Sequence, residues 1–122
     1  IISDAGVVAT DVTGVGTARS FSEACGYGYD KGIFAYGQNG GYYSLSNLVS
    51  NVGVVATDVT GVGTARSVPA ATQYGGDKGI FGYGVSGGNV SMTNLVSNAG
   101  VVATDTTGVG TARYYLAACS YN

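Results

Sequence analysis

The chain is 122 residues long, carries a net charge of −2 and contains no histidine; charged side chains make up 10% of it, against about 25% in ordinary soluble domains. Five Lys and Arg residues in all exclude the clustered basic footprint of a nucleic-acid binder, and the abundance of Val, Ile, Leu, Phe and Tyr excludes a disordered chain. The charge-free runs Gly32 to Thr57 and Gly79 to Thr104 are broken by Gly, Ser, Asn and Gln, which excludes a membrane span.

The first element, Ile1 to Arg19 (IISDAGVVATDVTGVGTAR), returns from Asn47 to Arg66 and from Asn94 to Arg113 with corresponding residues 47 positions apart. Asp11, Asp58 and Asp105 form one such set; Arg19, Arg66 and Arg113 form another. Self-similarity at a fixed period of about 20–50 residues marks an array of supersecondary units that bury their apolar faces only against neighbours. We read one repeat array over 1–122, with full units at 19–65 and 66–112 and partial units at 1–18 and 113–122. Three whole units need 19 more residues. The expected partners are therefore other copies of the chain or the rest of a longer chain.

Within the unit that follows Thr64, the stretch Ala65 to Tyr74 precedes a Gly75-Gly76 turn, and its lone proline points to an edge or bulged strand. Lys78 to Gly84 reads as a short strand rich in aromatic and branched residues. After the Val85-Ser86-Gly87-Gly88 turn, Val90 to Val96 alternates, with Val90, Met92 and Asn94 on one face and Ser91, Thr93 and Leu95 on the other. A turn at Ser97 to Gly100 leads to a fourth strand, Val101 to Asp105. The predicted core is Val54, Val55, Ile80, Phe81, Leu95, Val101 and Val102.

Four short antiparallel strands per 47 residues match the blade of a β-propeller, whose WD and kelch versions run at about 40–50 residues. A stacked β-solenoid is the competing architecture, but its coils are shorter and do not call for three tight turns per unit. The Ala-Arg start, the Lys78-Gly79-Ile80-Phe81-Gly82-Tyr83-Gly84 strand, the Gly-Gly turn and the strand ending in Asn-Leu-Val-Ser-Asn resemble a kelch-type blade. Gly82-Tyr83-Gly84 stands where that pattern has adjacent glycines, and its tryptophan is absent. Near-identical tandem units also resemble repeat regions of phage and environmental viral structural proteins. Those resemblances imply an all-β propeller with two full blades, an extracellular or virion-associated place, and no catalytic residue.

The motifs that would carry chemistry fail on their own terms. Gly84-Val85-Ser86-Gly87-Gly88 has the spacing of a nucleophile elbow but lacks both the strand-to-helix context and a histidine base. Gly14-Val15-Gly16 and its copies lack the third glycine and the helix of a dinucleotide site. No His/Cys set has metal-ligand spacing, and Asp30 and Asp77, the carboxylates best placed for a calcium turn, are each followed by a competing lysine. Asn89-Val90-Ser91 is a glycosylation sequon that matters only in a eukaryotic secretory setting. Of twelve charged residues, ten recur at the repeat period, whereas a catalytic site is unique within a domain. Asp58 and Arg66, across the Thr60 to Gly63 turn, are expected to pair structurally. No enzyme activity, cofactor or metal is expected.

Cys25 and Cys119 occupy matching places two units apart, with Thr72 between them, and read as small half-buried side chains. Tyr36 and Tyr83 recur, as do Tyr27, Tyr74 and Tyr121, and read as packing residues whose hydroxyls find backbone partners. Tyr42, Tyr43, Tyr114 and Tyr115 do not recur and are the candidate contact residues. The expected function is a non-enzymatic structural or adhesive repeat module; the alternative is a carbohydrate-binding propeller lectin with one glycan site per blade.

Overall fold

The turns at Gly28 to Asp30 and Gly75 to Asp77 reverse the chain between strands rich in aromatic and branched residues, and the strands on either side pair antiparallel. A computed structural model describes residues 1–121. The fold is all-β, with two three-stranded antiparallel sheets. The first holds β1 (Glu23–Tyr27), β2 (Lys31–Ala35) and β3 (Ser46–Val49); the second holds β4 (Ala70–Tyr74), β5 (Lys78–Val85) and β6 (Asn89–Val96). Their registers repeat the sequence period, since Cys25 faces Ile33 where Thr72 faces Ile80, and Gly32 faces Val49 where Gly79 faces Val96. The last residue of the partial unit at 113–122, Asn122, lies outside the described residues.

The strand expected from Ala65 begins only at Ala70. Val68 has φ of +48° and Pro69 has no N–H to give, so the ladder cannot extend backwards past them. Only an isolated bridge, Ser67 to Val85, joins the preceding residues to the sheet.

The expected fourth strand is reduced to isolated bridges, Val96 to Val102 and Thr93 to Thr106. Its ladder starts normally, with Ala103 N–H donating to Leu95 O at 2.8 Å. The carbonyl of Ala103 then accepts from the Asn94 side-chain amide at 3.0 Å, so a side chain stands in for the next backbone donor. Asn47 does the same to Ala56 O at 3.2 Å. Each sheet thus has three regular strands and a loosely attached fourth segment; no closed sheet is formed by the described residues.

The core lies between the two sheets, where β1 packs on β4 and β5 and Tyr27, Ile33, Ala35, Tyr36, Phe81 and Val96 form one buried cluster. Tyr36 and Phe81 meet edge to face with ring centroids 5.5 Å apart. Gly79 is required here, because a Cβ at that position would lie 2.6 Å from Cys25 Sγ. Of the predicted core, Phe81 is fully buried and Val55, Ile80 and Val102 are half-buried, whereas Val54, Val101 and Leu95 are 61%, 65% and 40% exposed. The three misplaced residues point outward, Leu95 and Val101 beside buried neighbours and Val54 between half-buried ones. Equivalent residues also differ by position: Ile33 is buried and Phe34 exposed, while Phe81 is buried and Ile80 only half-buried. The first sheet is covered on its Ile33 face and the second on its Phe81 face, because these are the faces on which the two sheets meet.

Candidate functional site

The repeated charged residues assemble at the junctions between units. The Thr13-Gly14-Val15-Gly16 turn, with Gly16 at φ of +79°, aims both donors of Thr17 at Asp58: the N–H reaches Oδ2 at 2.9 Å and the hydroxyl at 2.7 Å. Asn47 Nδ2 donates to the other carboxylate oxygen at 2.8 Å. Arg19 Nη1 stands 3.7 Å from that oxygen. Arg19 also donates from Nε to Tyr36 O at 2.7 Å, from Nη1 to Thr17 O at 3.2 Å and from Nη2 to Asn47 Oδ1 at 2.6 Å. The Thr17 hydrogen bond first, then Asn47, holds the Asp58 carboxyl below the usual carboxylate range, with Arg19 adding a smaller pull.

The next junction repeats this pattern with one change. Thr64 donates its N–H to both oxygens of Asp105 at 3.1 Å and its hydroxyl to one at 2.6 Å, and Asn94 Nδ2 donates at 2.9 Å. Burial would raise the Asp105 pKa, but the Thr64 and Asn94 hydrogen bonds outweigh it and the net shift is downward. Arg66, fully buried, places its guanidinium carbon 3.8 Å over the Tyr36 ring. It donates from Nη1 to Thr64 O at 3.2 Å and from Nη2, at the long limit of 3.5 Å, to Phe81 O. Arg66 Nε and Asn94 Oδ1 are buried without a hydrogen-bond partner.

Backbone closes the same clasp. Gly37 N–H donates to Arg66 O at 2.9 Å and Gly84 N–H to Arg113 O at 3.1 Å. Tyr83 lies under the Arg113 guanidinium at 4.7 Å, and its hydroxyl donates to Val109 O at 2.9 Å. Each tyrosine-glycine pair after a β2-type strand therefore grips the arginine of the following unit by ring and main chain. Tyr36 and Tyr83 take φ of +64° and +62° to do so, a left-handed conformation that non-glycine residues adopt only when their surroundings hold them there.

The expected pair of Asp58 with Arg66 does not form. Asp58 takes Arg19, on the far side of the unit, because Arg66 is carried past the Thr60 to Gly63 turn onto Tyr36. Asp11 makes no hydrogen bond or ion pair among the described residues. Arg113 is exposed and donates from Nη1 to Thr111 O at 3.3 Å. Thr17, Asn47 and Tyr36 are the junction residues that sequence reasoning did not assign to this cluster; all recur 47 positions on, at Thr64, Asn94 and Tyr83, which is the signal that could have found them.

The candidate contact tyrosines are not all alike. Tyr114 and Tyr115 lie ring to ring with centroids 4.9 Å apart and are 45% and 70% exposed. Tyr42 is 39% exposed, in the turn after Gly40 and Gly41, whereas Tyr43 is half-buried and its carbonyl accepts from Arg66 N–H at 3.2 Å. Tyr27 is buried and Tyr121 fully exposed, although they occupy equivalent positions. Cys25 is half-buried and Cys119 exposed, and both are free thiols.

Among the described residues no group of three or more His, Cys, Asp and Glu is placed to hold a metal ion, and no helix is long and apolar enough to cross a membrane. Compared with models of known protein families and with curated protein sequences, the chain matches none.

Proposed function

We propose that the chain is a non-enzymatic structural or adhesive module whose units are four-stranded, kelch-like propeller blades, in a virion, phage-tail or extracellular assembly. The observation that carries this reading is the use of the repeated charges: Asp58 on Thr17, Asp105 on Thr64, Arg66 on Tyr36 and Arg113 on Tyr83 all join one unit to the next. Side chains spent on cohesion are not poised for turnover. An array built this way lengthens by adding units without a change in the rules of contact. The bridges from Thr93 and Val96 to the fourth segment support a blade of four strands, and the exposed Tyr114 and Tyr115 supply an aromatic contact surface of low entropy cost.

The test is electron microscopy of the purified chain over a concentration series, with a glycan array in parallel. Ordered assemblies without glycan binding are expected. Saturable binding near one glycan per unit would assign a lectin instead, and substrate turnover that survives purification controls would defeat the proposal.

A further inference from the structure

Asn39 is the one asparagine followed by glycine; Asn47, Asn51, Asn89, Asn94 and Asn98 each precede Leu, Val or Ala. The Asn39-Gly40 pair sits at the tip of the turn between β2 and β3, where Asn39 N–H donates to Gly41 O at 3.0 Å and Gly40 takes φ of +70°. The second unit builds the same turn without asparagine: Ser86 N–H donates to Gly88 O at 2.9 Å and Gly87 takes φ of +72°. Asparagine at 39 is therefore not what shapes the turn.

The tip is open. Asn39, Gly40 and Gly41 are exposed, as are Gly87 and Gly88 in the second unit, so exposure belongs to the turn itself. Nothing lies within 4 Å of a Cβ built on Gly40 or Gly41. Gly40 N–H donates to no group among the described residues. The Asn39 side chain has a single tie, Nδ2 to Ala18 O at 3.1 Å, itself exposed, and a neutral bond of this kind is readily exchanged for water. Glycine also leaves its own nitrogen uncrowded and its backbone free to swing that nitrogen toward the preceding side chain. At every other asparagine named above, a Cβ on the next residue hinders the same approach.

We propose that Asn39-Gly40 is a self-modification site, at which the asparagine amide becomes a carboxylate without an enzyme. The Gly40 nitrogen, after giving its proton to hydroxide, attacks Asn39 Cγ; the N–Cγ bond forms, the Cγ–Nδ2 bond breaks, and Nδ2 leaves as ammonia with a proton from water. Water then adds to one of the two carbonyls of the resulting succinimide and opens the ring. The product is aspartate or isoaspartate, the latter with the main chain routed through Cγ, and nothing is oxidised or reduced. Either product replaces the Nδ2 donor with an anion, so the tie to Ala18 O is lost. That tie joins the turn to the residue before Arg19, whose guanidinium faces Asp58, so the change places a new negative charge beside the first junction.

The experiment incubates the full 122-residue chain at mildly acidic and mildly alkaline pH. Isoelectric focusing follows the charge, peptide mapping locates the change, and hydroxylamine in parallel samples cuts the chain wherever a succinimide stands. One acidic form is expected, mapped to Asn39 and containing isoaspartate, growing in proportion to hydroxide, with hydroxylamine cutting between residues 39 and 40. The native chain should react no more than about tenfold more slowly than the chain unfolded in urea, the factor one exposed hydrogen bond can impose. Asn39→Ser, the residue the second unit uses at this place, should remove the acidic form. Asn39→Gln, whose longer side chain must close a six-membered ring, should slow its appearance strongly. A native rate far below that tenfold limit, conversion that maps to another asparagine, or an acidic form that persists in both variants would overturn the site.

Discussion

The guanidinium carbon of Arg66 lies 3.8 Å over the ring of Tyr36, a residue of the preceding unit. Arg19 makes the opposite choice in the equivalent position: it satisfies Nε on Tyr36 O at 2.7 Å, whereas Arg66 leaves Nε unpaired in a fully buried site. The ring compensates for the missing hydrogen bond, because a desolvated cation over an aromatic face is stabilised by the ring quadrupole. Burial lowers the Arg66 pKa while Tyr36 opposes that effect, and burial raises the pKa of Tyr36 itself.

Arg66→Ala should therefore cost about 2–4 kcal/mol, combining the lost stacking, the lost hydrogen bonds and the cavity left over Tyr36. Arg66→Lys should recover little of it, since an ammonium can neither lie flat on the ring nor reach Thr64 O and Phe81 O together. Arg113→Ala, at an exposed site, should stay within about 1 kcal/mol. Urea unfolding midpoints at unchanged slope measure all three; equal losses at 66 and 113 would contradict the junction geometry.

The acid limb of stability should follow the junction carboxylates. Asp58 and Asp105 are held below their ordinary pKa in the folded chain, so as pH falls the unfolded chain takes up protons first. Their contribution is present above the unfolded value of about 4 and is lost as pH drops through the folded values. Asp30 and Asp77, whose pKa values are lowered chiefly by Lys31 and Lys78, add in the same direction. The double change Asp58→Asn, Asp105→Asn should flatten the decline below about pH 4 while lowering stability at neutral pH. Thermal midpoints between pH 2 and pH 7 read the slope, and an unchanged slope would remove these two groups from the account.

Strand order and the Gly75-Gly76 turn were legible because period-two alternation and glycine pairs act over a few residues. The buried faces were not. Ile33 and Ile80 have nearly the same sequence neighbours, yet one is buried and the other half-open, because burial here depends on which side of a sheet has another sheet against it. The same holds for the charges. A repeat shows that Asp58 and Arg66 are structural, but Arg66 is by far the nearer arginine in the sequence, and only packing selects the distant Arg19. Asn94 reads as a face residue of an alternating strand; that it and Asn47 act as surrogate backbone donors depends on where the fourth segment leaves the ladder, which no local pattern announces.

The two thiols should separate kinetically. Cys25 packs where Gly79 leaves room for its sulfur, and burial pushes its pKa to about 11. At pH 8 only about one thiol in a thousand is then thiolate, and the thiolate is the reacting species. Cys119 is exposed. Iodoacetamide labelling followed by mass spectrometry should show one rapid modification at Cys119, with Cys25 reacting only at the rate of unfolding. Equal rates would mean that β1 does not stay docked on β5.

The glycines of the junction turns should be far less replaceable than glycines of similar backbone in open turns. Gly63 and Gly87 have φ of +75° and +72°, so alanine at either costs about 1–2 kcal/mol for the left-handed conformation alone. At Gly87 nothing lies within 4 Å of the added Cβ, and the cost should end there. At Gly63 the Cβ would fall on the Asp105 carboxylate, which accepts from Thr64, and on Asn94 Nδ2, which donates to that carboxylate. The carboxylate cannot retreat without breaking the Thr64 hydrogen bonds that hold the units together, nor the amide without losing its bond to that carboxylate, which adds about 1–3 kcal/mol. Gly63→Ala should therefore lose clearly more stability than Gly87→Ala, and should also flatten the acid limb because the Thr64 donors no longer reach Asp105. If the two substitutions cost the same and leave the pH profile alike, the close approach of turn and carboxylate is not what joins the units.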